Sequence, residues 1–241
     1  KEVTNGLMPP PNYFPLNVQM NKEGYEDIDL IINRGINPIS VSKFEDYANE
    51  SGAIILDVRN QQDYAKGHIP RSIFIGLDGD FAPWVGTLIK DVKHPILLVS
   101  PKGREEEAIT RLSRVGFDNT LGYLENGFYS WKKSGKQIDT INSISAKQFE
   151  MQIKDNDSAI FDVRKNSEYE SERIYNAINT PLDTINNYLT DMPDNKDFYL
   201  HCAGGYRSMI AASILKSRGL HNMIEVKGGF NAIKKTAISI I

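Results

Sequence analysis

Cys202 is the one cysteine among 241 residues. It is preceded by His201 and followed by Ala203-Gly204-Gly205-Tyr206-Arg207-Ser208. Two adjacent glycines let the backbone curl so that successive N–H groups converge on one centre, and such a nest at a helix N-terminus receives negative charge. With a cysteine at its rim, the charge received is the thiolate, the nucleophilic form of the side chain. Arg207 adds positive charge at the mouth of this anion cradle, which runs from Ala203 to Ser208. A buried hydrophobe, the ordinary role of a lone cysteine, needs neither the glycines nor the arginine, so the spacing favours a nucleophile. One cysteine makes no intrachain disulfide. His68, His94, His201 and His221 are scattered without metal-ligand spacing, so neither a metal nor another cofactor is expected in this chain.

Two chemistries use a cysteine in such a cradle. Cysteine phosphatases place the gripping arginine six positions after the nucleophile and follow it with Ser or Thr. Here Arg207 stands one position closer, and Ser208 occupies the sixth. The smaller ring suits the single outer sulfur of a persulfide better than a tetrahedral phosphate, which favours sulfur over phosphorus. A Cys-dependent phosphatase or arsenate-reductase-like enzyme and a non-catalytic interaction module remain the alternatives.

A cradle of this kind belongs at the carboxyl end of a strand in an open α/β sheet, and the pattern around it supplies one. Ser158–Val163, Phe198–His201 and Met223–Val226 read as buried strands, and Ala146–Lys154, Leu182–Leu189 and Arg207–Arg218 as helices, the last stopping at Gly219. Strands alternating with helices predict a parallel sheet flanked by helices. The unit occurs twice. Ile55-Leu56-Asp57-Val58-Arg59 recurs as Ile160-Phe161-Asp162-Val163-Arg164, and the same offset carries Asp63-Tyr64 onto Glu168-Tyr169 and Phe44 onto Phe149. Leu98-Val99-Ser100 matches Leu200-His201-Cys202, and Asn126-Gly127-Phe128 matches Gly228-Gly229-Phe230. The domain organisation expected is residues 1–38 as a linker or N-terminal extension, 39–140 as a copy without the cysteine, and 141–241 as the copy that carries it.

The repeated Asp-Val-Arg block, Gly67-His68-Ile69-Pro70 and the Cys-x-x-Gly-x-Arg loop together resemble tandem rhodanese-like (sulfurtransferase) domains. The resemblance implies that Cys202 takes a sulfane sulfur from thiosulfate or a low-molecular-weight persulfide. It would then pass that sulfur to a thiol, sulfite or cyanide acceptor, in sulfide or persulfide detoxification. It implies an α/β fold of two such domains and no metal. The loop lacks the sequences typical of long two-domain thiosulfate or mercaptopyruvate enzymes, so neither donor follows from it. Pro9-Pro10-Pro11-Asn12-Tyr13-Phe14-Pro15 and Asn21-Lys22-Glu23-Gly24-Tyr25 are also similar to the C-terminal part of larger bacterial proteins. In those, a metallo-β-lactamase-fold persulfide dioxygenase precedes the rhodanese domains. That makes an upstream domain of the same polypeptide a candidate partner, as does the lack of an initiator Met at Lys1. On the bottom-up reading, the prolines favour extended backbone, Ile28–Ile32 forms a short helix ending near Gly35, and Tyr13, Phe14 and Tyr25 are candidates for docking on a neighbouring domain.

The first copy reads Ser100-Pro101-Lys102-Gly103-Arg104 at the matching loop, one residue shorter. Serine without an adjoining base is a poor nucleophile, Pro101 lacks an N–H, and Glu105-Glu106-Glu107 repels an incoming anion while suiting the helix dipole. This copy is expected to be a structural or interaction module. Asp162 and Arg164, like Asp57 and Arg59, should pin loops at strand ends, with Arg164–Glu168 as an ion pair. His201 should point away from the loop as a core histidine. Tyr206 is a candidate for lining the entrance, and Lys227, beside Gly228-Gly229-Phe230, for attracting anions. Trp84 and Trp131 read as core or domain-interface residues.

Apolar residues at 40%, charged residues at 24% and a net charge of −3 describe an ordinary globular chain with no basic footprint for nucleic acid. No apolar run approaches the roughly 20 residues that span a bilayer, and the start carries no signal-peptide pattern. A cytoplasmic location is expected.

Overall fold

The computed structural model describes residues 14–24, 26–154 and 158–241. Among these, the chain forms two five-stranded sheets in which every pairing is parallel. Two helices come first, α1 (Phe14–Glu23) and α2 (Ile28–Gly35). The first sheet comprises β1 (Pro38–Ile39), β2 (Ile54–Asp57), β3 (Ile73–Phe74), β4 (Ile96–Val99) and β5 (Thr120–Leu124), in the order β1-β5-β4-β2-β3. Its helices are α3 (Val41–Glu50), α4 (Gln61–Lys66), α5 (Phe81–Leu88), α6 (Glu105–Ser113) and α7 (Gly127–Lys133). The second sheet repeats the plan with β6 (Asn142–Ser145), β7 (Ile160–Asp162), β8 (Ile178–Asn179), β9 (Phe198–His201) and β10 (Met223–Lys227), in the order β6-β10-β9-β7-β8. Its helices are α8 (Ala146–Ile153), α9 (Asn166–Ser171), α10 (Tyr206–Ser217) and α11 (Gly229–Ile233). The two-copy α/β architecture expected from the repeat is the one observed.

Strand alternation builds the layers. Phe198 and Leu200 on β9 face the same large cluster as Leu56 and Leu98 of the first sheet, whereas Tyr199 faces the outer side with Phe149 and Val226. In the first sheet Leu97 and Val99 turn outward to Phe44 and Trp131. Each such fully buried side chain is worth about 1.5–3 kcal/mol relative to exposure. Trp131 therefore lies in the first copy's outer core, and Trp84 packs from the side against the cluster shared by both copies.

Local signals explain the helix ends. Ser145 caps α8 in a reciprocal box with Gln148, a device whose loss costs about 1 kcal/mol. Gly219, at φ +93°, closes α10: its N–H reaches the Lys216 carbonyl, and that of Leu220 reaches Leu215, a Schellman ending. The helix expected over Leu182–Leu189 is instead a 3-10 helix over Leu182–Tyr188, kinked at Thr184. Leu182 and Ile185 are its buried residues, and their three-residue spacing matches the tighter turn rather than α-geometry.

Tyr13 and Tyr25, proposed for docking, lie outside the described residues, as does most of the proline segment. Phe14 is 53% exposed. It is α2 that joins the first copy, burying Ile31, with Asp27 capping its N-terminus and Arg34 donating to the Asp118 carbonyl. Among the described residues, no helix is long and apolar enough to cross a membrane.

Candidate active site

Cys202 leaves the carboxyl end of β9, which lies between β10 and β7 in the middle of the second sheet. Its side chain is buried, and its Sγ accepts a hydrogen bond from the Gly205 N–H at 3.1 Å. Gly205 adopts φ +99°, a left-handed conformation that costs other residues roughly 1–2 kcal/mol. Gly204 is exposed, and a Cβ added there would meet nothing. Gly205 supplies an amide to the sulfur, while Gly204 is exposed.

The turn between β10 and α11 braces the loop from below. The Phe230 N–H donates to the Cys202 carbonyl at 2.6 Å, and the Asn231 N–H donates to that of Ala203 at 3.0 Å. Gly229, at φ +52°, lies so close that a Cβ would stand 2.2 Å from the Cys202 oxygen. The first copy keeps the same contact: a Cβ on Gly127 would meet the Ser100 carbonyl at 2.9 Å.

The repeated Asp-Val-Arg block is a strap. Arg164 Nε and Nη2 both bond Asp162, at 2.6–3.0 Å, Nη2 also reaches the Glu172 carbonyl at 2.7 Å, and the guanidinium lies 3.9 Å over the Phe230 ring. Arg59 repeats every part of this with Asp57, the Gly67 carbonyl and, at 4.2 Å, Phe128. Desolvation pushes the Asp57 carboxyl up, and the adjacent Arg59 opposes it. The arginine in each copy ties the strand end to the loop eight residues on and to the glycine-turn phenylalanine.

That arrangement corrects one expected pair. Arg164 is fully engaged by Asp162, and Glu168 turns to Arg207 instead, in a two-pronged bridge of 2.6 and 2.8 Å. Hydrogen bonding from Arg207 holds the Glu168 carboxyl below its usual range, and the same bonds push the guanidinium further up. Arg207 stands at the cradle with a carboxylate already on it, rather than as a bare cation.

Two other cradle residues point elsewhere. Tyr206 does not line the entrance: its hydroxyl donates to the Gly76 carbonyl at 2.6 Å, and its ring meets Phe74 edge-on, both in the first copy. A buried phenol needs a partner, and the first copy holds it. Ser208 is buried with Oγ 3.1 Å from the Gly205 carbonyl and 2.9 Å from Glu225 Oε1, so its hydroxyl faces the protein and not a bound anion. Lys227 is exposed at the end of β10. His201 is buried with Nδ1 3.3 Å from the Cys202 carbonyl and its ring stacked on Phe230. Burial lowers its pKa, with the nearby Asp162 carboxylate opposing, and the ring contacts the Cys202 carbonyl rather than its sulfur.

Sequence reasoning passed over Glu225 and Ser143. Glu225 is buried on β10 and accepts from the hydroxyls of Ser143 and Ser208. A glutamate inside the apolar run Met223-Ile224-Glu225-Val226 was the available signal.

In the first copy, Ser100 Oγ donates to the Pro101 carbonyl at 3.0 Å, and Arg104 is held by Glu107 and Asp78. A cavity of about 550 Å³ opens there, lined in part by Arg59, Ser100, Pro101, Arg104 and Phe128.

A family model described as "Rhodanese-like domain" matches residues 40–134 and again 145–236. Among curated proteins, one named as a putative sulfur carrier protein of Bacillus subtilis is 30% identical over 97 residues, covering 40% of this chain and 52% of that protein. A tRNA uridine(34) hydroxylase of Buchnera aphidicola is 30% identical over 92 residues, covering 36% of this chain and 30% of that protein. The chain thus spans only about a third to a half of these relatives. Among solved structures, a rhodanese-like domain protein from Staphylococcus aureus is 29% identical, covering 41% of this chain and 97% of its own, with a TM-score of 0.38.

Proposed function

The chain belongs to the rhodanese-like domain family twice over, and from that premise we propose that it is a sulfurtransferase whose second copy carries the reaction on Cys202. The observation that carries this reading is the Gly205 N–H on Cys202 Sγ at the end of a central strand, in a loop whose arginine comes one position too early for phosphate. The amide stabilises negative charge on sulfur, and the buried setting keeps that charge poorly hydrated.

In the first half-reaction the Cys202 thiolate attacks the outer sulfur of thiosulfate or of a low-molecular-weight persulfide. A Cys202 S–S bond forms as the donor's S–S bond breaks, and its electron pair leaves with sulfite or with the donor thiolate. In the second half-reaction a thiol, sulfite or cyanide acceptor attacks the outer sulfur of the Cys202 persulfide, and the bonding pair returns to Cys202. No net oxidant is consumed. Arg207, whose guanidinium Glu168 bridges, is the candidate for meeting an anionic donor. The Asp162–Arg164 strap keeps the glycine turn against the loop and touches no reactant. Copy one, with Ser100 bonded to its own neighbour and Arg104 occupied twice, acts as a structural partner. A metallo-β-lactamase-fold persulfide dioxygenase domain in the same polypeptide and a cytoplasmic setting would be consistent with this role.

Incubation with thiosulfate or glutathione persulfide, followed by intact mass measurement, tests the reading. The chain should gain one sulfur atom, and Cys202→Ser should abolish the gain. Failure to form an adduct with either donor would overturn it, and Cys202-dependent hydrolysis of an aryl phosphate would favour the phosphatase alternative instead.

A further inference from the structure

A carboxylate lies buried beneath the nucleophile loop. Glu225 is 1% exposed on β10, between Ile224 and Val226, which are themselves buried. Strand positions covered on both faces are ordinarily apolar, and a buried carboxylate is costly unless hydrogen-bonded. Among the described residues, no lysine or arginine forms an ion pair with it. Each oxygen instead meets a serine hydroxyl: Oε2 meets Ser143 on the neighbouring β6, and Oε1 meets Ser208 in the first turn of α10, at 2.9 Å. Burial pushes the Glu225 carboxyl up, the two serines oppose this, and Lys227 adds a weaker pull the same way.

The placement continues toward the sulfur. Ser208 Oγ is 3.1 Å from the Gly205 carbonyl, and Glu225 Oε1 lies 3.6 Å from where a Cβ on Gly205 would stand. Gly205 is the residue whose N–H reaches Cys202 Sγ at 3.1 Å. A run of contacts thus goes from Ser143 through Glu225 and Ser208 to the carbonyl of Gly205, whose own N–H is on the Cys202 sulfur. Ser208 has a single hydroxyl proton: beside an ionised Glu225 it is shared between that carboxylate and the Gly205 carbonyl, whereas a protonated Glu225 can donate to Ser208 and leave that proton for the carbonyl.

We propose that Glu225 is the positioning residue of the Cys202 loop: bridging Ser143 and Ser208, it fixes the Gly205 turn so that its N–H stays on the sulfur. The importance of this for turnover rests on the sulfur-transfer reading, but the device can be measured on the thiol itself. Cys202 is the chain's one cysteine, so iodoacetamide incorporation followed by intact mass reports on that sulfur alone.

The full chain would be compared with Glu225→Val, Glu225→Gln, Ser208→Ala and the Val/Ala double variant. Glu225→Val and Ser208→Ala should each slow alkylation by about tenfold or more, the scale on which small misplacements act. Neither replacement can ionise, so the difference between them reads the hydrogen bonds. Glu225→Gln, which can accept from one serine and donate to the other, should recover the rate to within about threefold of wild type. The double variant should be no slower than the slower single one, because both break the same path. A Glu225→Val chain with wild-type circular dichroism and a wild-type alkylation rate would overturn the proposal, as would additive losses or a Gln variant as slow as Val. Should Glu225→Val not fold, Ser143→Ala and Ser208→Ala carry the same expectation and the same refutation. A wild-type chain that alkylates as stated but accepts no sulfur from either donor would refute the transfer reading and leave the positioning role intact.

Discussion

Glu168 and Glu225 flank the same loop and titrate in opposite senses. Glu168 is bridged by Arg207 at 2.6 and 2.8 Å, which holds its carboxyl below the ordinary value. A carboxyl depressed in the folded state contributes stability that is fully present above its unfolded pKa, about 4.3. That contribution is lost as pH falls through the folded value. Glu225, raised by burial, behaves the other way, and its charge costs stability as pH rises. For Glu168 the consequence is measurable. Glu168→Gln should lower the urea midpoint relative to wild type at pH 7, and the gap should close as pH falls below about 4. A gap that persists at pH 3 would mean that the glutamate acts through packing rather than through its charge. Because Glu168 is about a third exposed, the effect should shrink in high salt.

At the scale of elements, the repeat made the two parallel sheets and the place of Cys202 at the carboxyl end of a strand legible, because block order and strand periodicity are properties of the chain itself. The partners within the loop were not. Arg164 and Glu168 have helical spacing, which suggested a pair, but the true partner of Glu168 is 39 residues away. Asp162 had already taken Arg164 from two residues off. Tyr206 reads as a lining residue only until the first copy is placed beside it. The two glycines likewise look equivalent in sequence and are not. At Gly205 a side chain faces φ +99° and a Gly228 nitrogen 3.4 Å away, whereas at Gly204 it meets open space. Gly205→Ala should therefore destabilise by about 1–2 kcal/mol. Gly204→Ala should be neutral, or stabilising by about 0.4–1 kcal/mol through the unfolded chain. Denaturant unfolding of the two variants checks this, and equal losses at both positions would contradict the assigned backbone.

For the whole molecule, the question is whether the copy without the cysteine is a passenger. The inward faces of both sheets and the buried length of α10, Met209 to Leu215, share one hydrophobic cluster. Polar contacts stitch α10 and its flanking loop to the first copy along its length. The Tyr206 hydroxyl donates to the Gly76 carbonyl at 2.6 Å, the Phe74 N–H donates to Ser213 Oγ at 3.0 Å, and Lys216 meets Asp139 at 2.8 Å. The fit at the loop is close: a Cβ on Gly79 would stand 2.3 Å from the Tyr206 ring. Helix α10 begins directly after the Cys202 loop, so the copy without a thiol forms one wall of the structure that holds the thiol. Two domains with a common core should unfold together. Calorimetry of the full chain should show one transition with equal calorimetric and van't Hoff enthalpies. Tyr206→Phe, which leaves the Gly76 carbonyl without its phenol donor, should lower that single midpoint at a cost of about 1–3 kcal/mol. Two resolved transitions, with only one moved by Tyr206→Phe, would show instead that the copies fold independently and that the first contributes nothing to the stability of the second.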